Sequence, residues 1–281
     1  MRFTNRDIAD YYNQTQVHYR KWWKLDEAMA VHYGMWEKGT ASFRDSLINT
    51  NRKVAQIAGI RKGERVLDAG CGVGGSAFFL AEKYNCKVTG ITLSEKQFDF
   101  AQKKASELGL EDWVEFRLDD YNNTSLGNGT FDLIWAIESL TSAPDKARFC
   151  READRVLKPG GRIVVADYFR DISKPDNKGW MKKWQECWSL AEILSEDSYI
   201  KTFADAGFLI RKNVDATANI SPSSKIMYRS YLLGAIPSIL YNSFHKTSRF
   251  ARTHYLSGKY QYKALQEGLW KYKIMLFEKS G

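Results

Sequence analysis

The sequence contains few cysteines, and their spacing does not suit a metal site. Cys71, Cys86, Cys150 and Cys187 form no C-x-x-C pair, and no cluster of histidine and cysteine accompanies them. Free thiols without the spacing of metal ligands are typical of a reducing compartment. We therefore expect free thiols and no metal site.

The sequence also lacks a long apolar run. No stretch reaches the roughly 20 apolar residues that a membrane-spanning helix requires. The first seven residues carry charges but no apolar segment of the kind found in secretory signals. Linker-like, low-complexity and repeated segments are absent as well. These absences predict a cytoplasmic protein, and 44% hydrophobic residues among 281 allow a sizeable core in one large α/β domain.

Positive charge is concentrated in the last fifth of the chain. The net charge is +9, and residues 225–281 carry ten lysines and arginines against two acids, with tyrosines and phenylalanines between them. This basic block can be a solvated face, or it can contact anionic lipid headgroups or an anionic substrate. Nucleic-acid binding is a third interpretation, but no known nucleic-acid-binding module is visible, so we expect no nucleic-acid partner.

Residues 66–75 read Val-Leu-Asp-Ala-Gly-Cys-Gly-Val-Gly-Gly. Two apolar residues precede Asp68. Glycines then follow at alternate positions, and after them comes a segment that can form a helix. The pattern predicts a strand, a tight turn and a helix N-terminus, where glycines let the backbone bend sharply and let a ligand approach it. The spacing differs from the G-x-G-x-x-G fingerprint of dinucleotide-binding proteins.

Strand and helix patterns alternate from about residue 60 onward, which predicts a doubly wound, mainly parallel sheet. Ser94, with Gln97 three residues later, is typical of a helix N-cap. Ligands of such sheets bind at the C-terminal ends of the strands. The predicted strands are 65–68, 87–92, 113–118, 131–137, 162–167, 207–214 and 270–277, and the predicted helices between them include 75–84, 94–108 and 144–157.

Three further segments are predicted to be helical. Residues 1–54 are rich in tyrosine and tryptophan, and Trp180, Trp184 and Trp188 lie four residues apart, on one face of a helix. We expect an N-terminal helical lid at 1–54 and a cofactor-binding domain at 55–281, with helical lid insertions at about 170–203 and 221–268.

The glycine-rich segment, V-L-D-x-G-C-G-x-G, resembles the first motif of class I S-adenosylmethionine (SAM) methyltransferases. Four more segments resemble that superfamily in the same order: V-T-G-I-T-L-S-x-x-Q, L-D-D-Y, W-x-I-E-S and L-K-P-G-G, the last ending at Gly161. The segments Tyr11-Tyr-Asn-x-Thr15, His32-Tyr-Gly34 and 260–279 are similar to sterol and tocopherol methyltransferases. The resemblance is thus to the sterol, tocopherol and terpenoid C-methyltransferase group.

This resemblance implies a Rossmann-like, seven-stranded sheet that binds SAM and releases S-adenosylhomocysteine. The backbone of the glycine turn would contact the amino-acid part of the cofactor. Thr92 and Gln97 would bind the ribose hydroxyls, where many relatives place an acid. Asp120 would accept a hydrogen bond from the adenine amine. The cofactor-binding residues implied in this way are Asp68, Gly70, Cys71, Gly72, Thr92, Gln97, Asp120, Tyr121 and Ile137.

Glu138, at the mouth of the expected site, is the first catalytic candidate. Its carboxylate would stabilise a substrate cation or remove a proton, although a structural role is the alternative. His32 and Tyr33 are further catalytic candidates, with packing as the alternative. The position four residues after Glu138, often a histidine in relatives, is Ser142 here. The substrate-contact candidates are Tyr19, Trp22 and Tyr168.

Together these features predict transfer of a methyl group from SAM to a hydrophobic small molecule, and carbon methylation of an isoprenoid in particular. A sterol, a prenyl chain or a prenyl diphosphate would fit. The first alternative is an N- or ring-C-methyltransferase of an aromatic metabolite or quinone. The second is a non-enzymatic SAM- or RNA-binding protein on the same fold. The sequence leaves homo-oligomerisation open.

Overall fold

The computed structural model of the protein describes residues 3–23, 25, 29–244 and 248–280, without the side chains of 16–23, 249 and 251. Seven strands in these ranges form one sheet. They are β1 (Arg65–Ala69), β2 (Lys87–Thr92), β3 (Val114–Leu118), β4 (Phe131–Ile137), β5 (Leu157–Arg170), β6 (Phe208–Asp215) and β7 (Trp270–Lys279).

Helices alternate with the strands through most of the chain. The α-helices in the described ranges are α1 (Asn5–Trp23), α2 (Phe43–Ala58), α3 (Gly75–Tyr84), α4 (Glu95–Leu108), α5 (Lys146–Val156), α6 (Trp180–Trp188), α7 (Glu196–Asp205), α8 (Thr217–Phe244), α9 (Arg249–Thr253) and α10 (Ser257–Gln266). Short 3₁₀ turns lie at Leu140–Ser142 and His254–Leu256. Among the described helices, none is both long enough and apolar enough to cross a bilayer.

The strand order is β3-β2-β1-β4-β5-β7-β6. Strands β1 to β5 pair in parallel where they are neighbours, and β7 runs antiparallel to both β5 and β6. The predicted seven-stranded, mainly parallel, doubly wound α/β sheet is therefore confirmed. The strand order reverses between β1 and β4, so their C-terminal ends open the crevice in which such sheets bind ligands.

The strand β5 is longer than the sequence predicts. Phe131 pairs with Leu157 but Leu133 pairs with Arg162, so residues 158–161 bulge out of the ladder. The Lys-Pro-Gly-Gly segment, expected to form a turn before the strand, is therefore a bulge within β5. A turn signal in the sequence cannot distinguish these outcomes, because the pairing with β4 decides them.

Residues 29–42 are not helical, which corrects the expectation for part of 1–54. The segment lies directly on α2, where a Cβ on Gly34 would be 1.9 Å from Ser46 Oγ. Met35 N donates hydrogen bonds to Ser46 O and to Thr50 Oγ1, at 2.9 and 3.0 Å. These hydrogen bonds satisfy the backbone N–H of Met35, which a helix would otherwise satisfy internally.

Ser94 is the N-cap of α4, as predicted. Its hydroxyl accepts a hydrogen bond from Gln97 N at 3.3 Å and donates one to Asn13 Oδ1 at 2.6 Å. The same side chain therefore ends the turn after β2 and holds α1 against α4.

Replacement of Ser94 by alanine should lower the free energy of unfolding by about 1 kcal/mol, the usual cost of a lost N-cap. Ser195→Ala, at the N-cap of α7, should cost a similar amount and serves as the matched control. Urea denaturation measures both. Only Ser94→Ala should also weaken binding of the cofactor that the sequence predicts, because it releases α1; calorimetry with SAM measures this, and equal weakening in both variants would contradict the coupling.

Candidate active site

A cavity of about 1050 Å³, part of it open to solvent, lies at the C-terminal ends of β1, β2 and β4. Side chains from α1, the segment 29–32, the glycine turn and the end of α6 complete its wall. Eleven of the site residues proposed from the sequence line it together: His32, Asp68, Gly70, Cys71, Gly72, Thr92, Gln97, Tyr121, Ile137, Glu138 and Tyr168.

The glycine turn after β1 forms the floor of the cavity. Gly70 N and Cys71 N both donate to Ile91 O, at 3.0 and 2.9 Å, which fixes the turn against β2. Gly70 has φ +88°, and a Cβ there would lie 2.4 Å from the Cβ of Ser139. At Gly72 the nearest atoms to such a Cβ are 3.7 Å away, so a ligand has room. Burial raises the pKa of the Cys71 thiol well above its usual value, which agrees with a packing role.

Polar groups suited to a cofactor surround this turn. Asp68 Oδ2 is buried and has no hydrogen-bond partner, and burial raises the pKa of this carboxyl to about 7. A buried acceptor without a partner fits a donor group of a ligand. Thr92 donates to Gln97 Oε1 at 2.9 Å, and Gln97 Nε2 faces the turn, 3.9 Å from where a Cβ on Gly72 would be. The residues present therefore fit a cofactor that carries amino and hydroxyl groups.

Asp120 stands apart from the residues that line the cavity. Its Oδ2 accepts a hydrogen bond from Asn5 Nδ2 at 2.7 Å, and its Oδ1 accepts from Asn122 N at 2.9 Å. The next residue, Tyr121, lines the cavity, and its hydroxyl donates to Ser139 O at 3.0 Å. Asp120 therefore joins α1 to the edge of the site, and its contact with adenine stays a prediction.

Glu138 follows β4 with φ 51°, an unusual conformation for a residue other than glycine. Its Oε1 accepts hydrogen bonds from Tyr33 N at 2.7 Å and Tyr272 Oη at 2.9 Å. Its Oε2 accepts a short hydrogen bond from Tyr168 Oη. Burial outweighs these three donors and raises the pKa of the carboxyl to about 8. The side chain remains accessible from the cavity, so it can exchange a proton with a ligand.

His32 presents an unpaired nitrogen to the same cavity. Its Nδ1 lies 3.0 Å from Tyr33 O, and because a carbonyl only accepts, Nδ1 carries the proton. Nε2 is buried and has no hydrogen-bond partner. Burial lowers the pKa of this histidine to about 4, so the ring is neutral and Nε2 holds a lone pair.

Tyr33 takes a different position from the one expected. Its ring is fully buried beside Tyr168 and Tyr272, and its hydroxyl donates to Gln261 Oε1 at 2.8 Å rather than pointing into the cavity. Only its backbone N–H reaches the site, where it holds Glu138. The segment His32-Tyr33-Gly34 marked the region correctly, but a motif does not specify which atom faces a ligand.

Three residues of the site were not among the site residues proposed from the sequence. Tyr12 and Trp188 line the cavity, and Tyr272 holds Glu138. Tyr12 forms a hydrogen bond with Ser142, and burial raises its pKa to about 12. The sequence had marked each of them in another context: Tyr12 lies in the Tyr11–Thr15 segment, Trp188 in the row of tryptophans, and Tyr272 in the predicted strand 270–277. The predicted substrate contacts Tyr19 and Trp22 lie outside the described side chains.

Replacement of Asp120 by alanine should weaken SAM binding about tenfold or more, since a hydrogen bond to a charged group contributes roughly 1.5–3 kcal/mol. Isothermal titration calorimetry measures the affinity, and circular dichroism checks the fold. Asn5→Ala is the control, because it removes the contact with α1 and keeps the carboxylate. An equal loss in both variants would assign Asp120 to holding α1 and not to binding adenine.

Comparisons with known proteins agree with this architecture. A family model described as a methyltransferase domain matches residues 60–216. The chain is 32% identical to norajmaline N-methyltransferase of Rauvolfia serpentina, over 76% of this chain and 78% of that protein. It is 30% identical to a probable chloroplastic tocopherol O-methyltransferase of Oryza sativa subsp. japonica, over 79% of this chain and 66% of that protein.

A solved structure shares the fold across nearly the whole chain. It is the geranyl diphosphate C-methyltransferase from Streptomyces coelicolor A3(2), in complex with Mg²⁺, geranyl diphosphate and S-adenosyl-L-homocysteine. The TM-score is 0.77 at 21% identity, with 98% of this chain and 97% of that chain covered. Because the family model spans more than half of the chain and the named relatives are methyltransferases, the expected family and its cofactor are confirmed: this protein belongs to the SAM-dependent methyltransferases.

Proposed function

We propose that this methyltransferase methylates a carbon atom of an apolar isoprenoid. The observation that carries the proposal is the surroundings of Glu138. A carboxyl group held by three donors lies in the wall of a cavity that aromatic and aliphatic side chains otherwise dominate. Such a cavity favours an apolar substrate on which a single positive charge forms beside the carboxyl group.

SAM supplies the methyl group from its sulfonium and becomes S-adenosylhomocysteine. When an alkene carbon gains a methyl group, the neighbouring carbon becomes a cation. The rings of Tyr12, Tyr168 and Trp188 line the cavity and can stabilise that cation through their electron-rich faces. Loss of a proton to Glu138 then returns the substrate to a neutral alkene.

The charge state of Glu138 suits this role. With its pKa raised to about 8, the carboxyl is largely protonated at neutral pH when no cation is near. A cationic neighbour favours the charged form and lowers the pKa. Glu138 would therefore ionise when a cation enters the site, and it would become a proton acceptor there.

Among isoprenoids, an uncharged substrate fits best. The described residues that line the cavity include two carboxyl groups, Asp68 and Glu138, and neither lysine nor arginine. A prenyl diphosphate needs cationic partners, whereas a sterol or a prenyl chain does not. We therefore favour a sterol or a prenyl chain, although the similar Streptomyces enzyme was solved with geranyl diphosphate.

A second candidate function is N- or ring-C-methylation of an aromatic metabolite or quinone. The lone pair on His32 Nε2 favours it, because a neutral imidazole in the cavity wall can accept a hydrogen bond from an amine or a phenol of a substrate. The resemblance to an N-methyltransferase and a tocopherol O-methyltransferase supports the same class.

The remaining assignments are part of the proposal. The residues of the glycine turn, with Thr92 and Gln97, would hold SAM, and Asp120 and Tyr121 would contact its adenine. The segments 1–54, 170–203 and 221–268 would act as a lid. Support comes from Tyr11 and Tyr12 of α1, and from Trp188 of α6, which line the cavity, and from Gln261 of α10, which binds the hydroxyl of Tyr33.

Replacement of Glu138 by glutamine should leave SAM affinity unchanged and lower kcat/KM by about 10²–10⁴-fold, the usual contribution of a general base. For the wild type, kcat/KM should rise with pH as Glu138 loses its proton. The midpoint of this rise, the acid limb of the pH profile, should lie at or below pH 8. This limb should vanish in Glu138→Gln. Near-normal turnover would return Glu138 to a structural role.

Tyr272→Phe is the matched control, since it keeps the carboxylate and removes one donor. Loss of a donor to the charged form raises the pKa of Glu138. The acid limb of the pH profile should therefore move up by about one pH unit, with a much smaller fall in the maximum rate. A limb that does not move would show that another group titrates.

The substrate class is tested with methyl-labelled SAM and a panel of sterols, prenyl alcohols, prenyl diphosphates, quinols and amines. Mass spectrometry of organic extracts should detect the label on an uncharged isoprenoid, with the methyl group on carbon. Label confined to amines or phenols would replace the proposal with the second candidate. Label on prenyl diphosphates alone would contradict the argument from the cavity lining.

A further inference from the structure

The C-terminal half of α8 exposes apolar side chains. Residues 230–244 contain no charged residue. Leu233 is 76% exposed and Phe244 is 81% exposed, although side chains of this kind are usually buried. The exposed apolar face of α8 comprises Leu232, Leu233, Ile236, Ile239, Leu240 and Phe244.

These six residues lie on one side of the helix. Their spacings of three and four residues place them in an arc of about 140° at 3.6 residues per turn. The N-terminal half of α8 is held tightly against α10, where a Cβ on Gly258 would be 2.5 Å from Met227 O. Gly234 is buried on the side away from the arc. The apolar face is therefore presented by a helix that is fixed to the protein.

Basic residues border this face. Lys225 and Arg229 are exposed on α8 just before it. Both follow the same side of the helix as the apolar face, two turns and one turn earlier. An apolar stripe with basic residues at one end matches a bilayer with anionic headgroups.

We propose that the exposed apolar face of α8 docks the protein on the surface of an anionic lipid bilayer. The helix would lie in the interface, with its apolar face among the acyl chains and the basic residues at the headgroups. A second copy of the chain is a poorer occupant, because pairing along this side of the helix would enclose the charges of Lys225 and Arg229 without an acidic partner on the face. The docking does not depend on which atom the enzyme methylates.

Flotation of the purified protein with vesicles tests this proposal without substrate or cofactor. Vesicles of phosphatidylcholine with phosphatidylglycerol should bind the protein more strongly than vesicles of phosphatidylcholine alone, and added salt should weaken that preference. Leu233→Asp should reduce the partition coefficient about tenfold or more, because one buried leucine contributes roughly that factor. Replacement of Lys225 and Arg229 by glutamine should reduce the preference for anionic vesicles.

Ile172→Asp is the matched control, because Ile172 is 75% exposed outside α8 and the charge change is the same. It should bind vesicles like the wild type. Circular dichroism and SAM affinity should be unchanged in every variant, which separates loss of docking from loss of fold. Equal losses in Leu233→Asp and Ile172→Asp, or no vesicle binding by the wild type, would overturn the proposal. A dimer in sedimentation that Leu233→Asp dissociates would assign the face to a second copy instead.

Discussion

The hydrogen bonds that Glu138 accepts connect three distant parts of the chain. Their donors, Tyr33, Tyr168 and Tyr272, lie 105, 30 and 134 residues away in sequence. A buried carboxyl without partners would cost several kcal/mol, so these bonds constrain the segments that supply them. Tyr168 and Tyr272 are direct neighbours in the β5–β7 ladder. A slip of one residue in that register would turn Tyr272 to the other face of the sheet and remove its donor from the site.

Much of the cofactor half of the site follows from local sequence. The glycine turn is recognisable because the φ of +88° at Gly70 and its contact with Ser139 tolerate no side chain. The start of α4 follows from Ser94, whose cap needs only a backbone N–H three residues later. The strands β2 and β4 begin and end where their apolar patterns predict. Such features depend on interactions between near neighbours, which a sequence displays directly.

The other half of the site could not be predicted from local sequence. The strand that carries Tyr272 was predicted at 270–277, but its place between β5 and β6 depends on long-range pairing that no local pattern specifies. The direction of the Tyr33 hydroxyl depends on Gln261, more than two hundred residues later. Residues 225–281 stood out for their charge, whereas the uncharged interval 230–244 within them became distinct only when the exposed fraction of each side chain was known.

The position of β7 has a consequence for how the chain acquires its structure during synthesis. In the sheet, β6 pairs only with β7, which separates it from β5. Until residues 270–279 have left the ribosome, β6 has no partner and one edge of β5 is uncovered. The segment between β6 and β7 must then be accommodated while β7 enters the gap between the two strands. Folding of the sheet therefore waits for long-range pairing, and during that wait the nascent chain exposes unpaired strand edges that favour aggregation or chaperone binding.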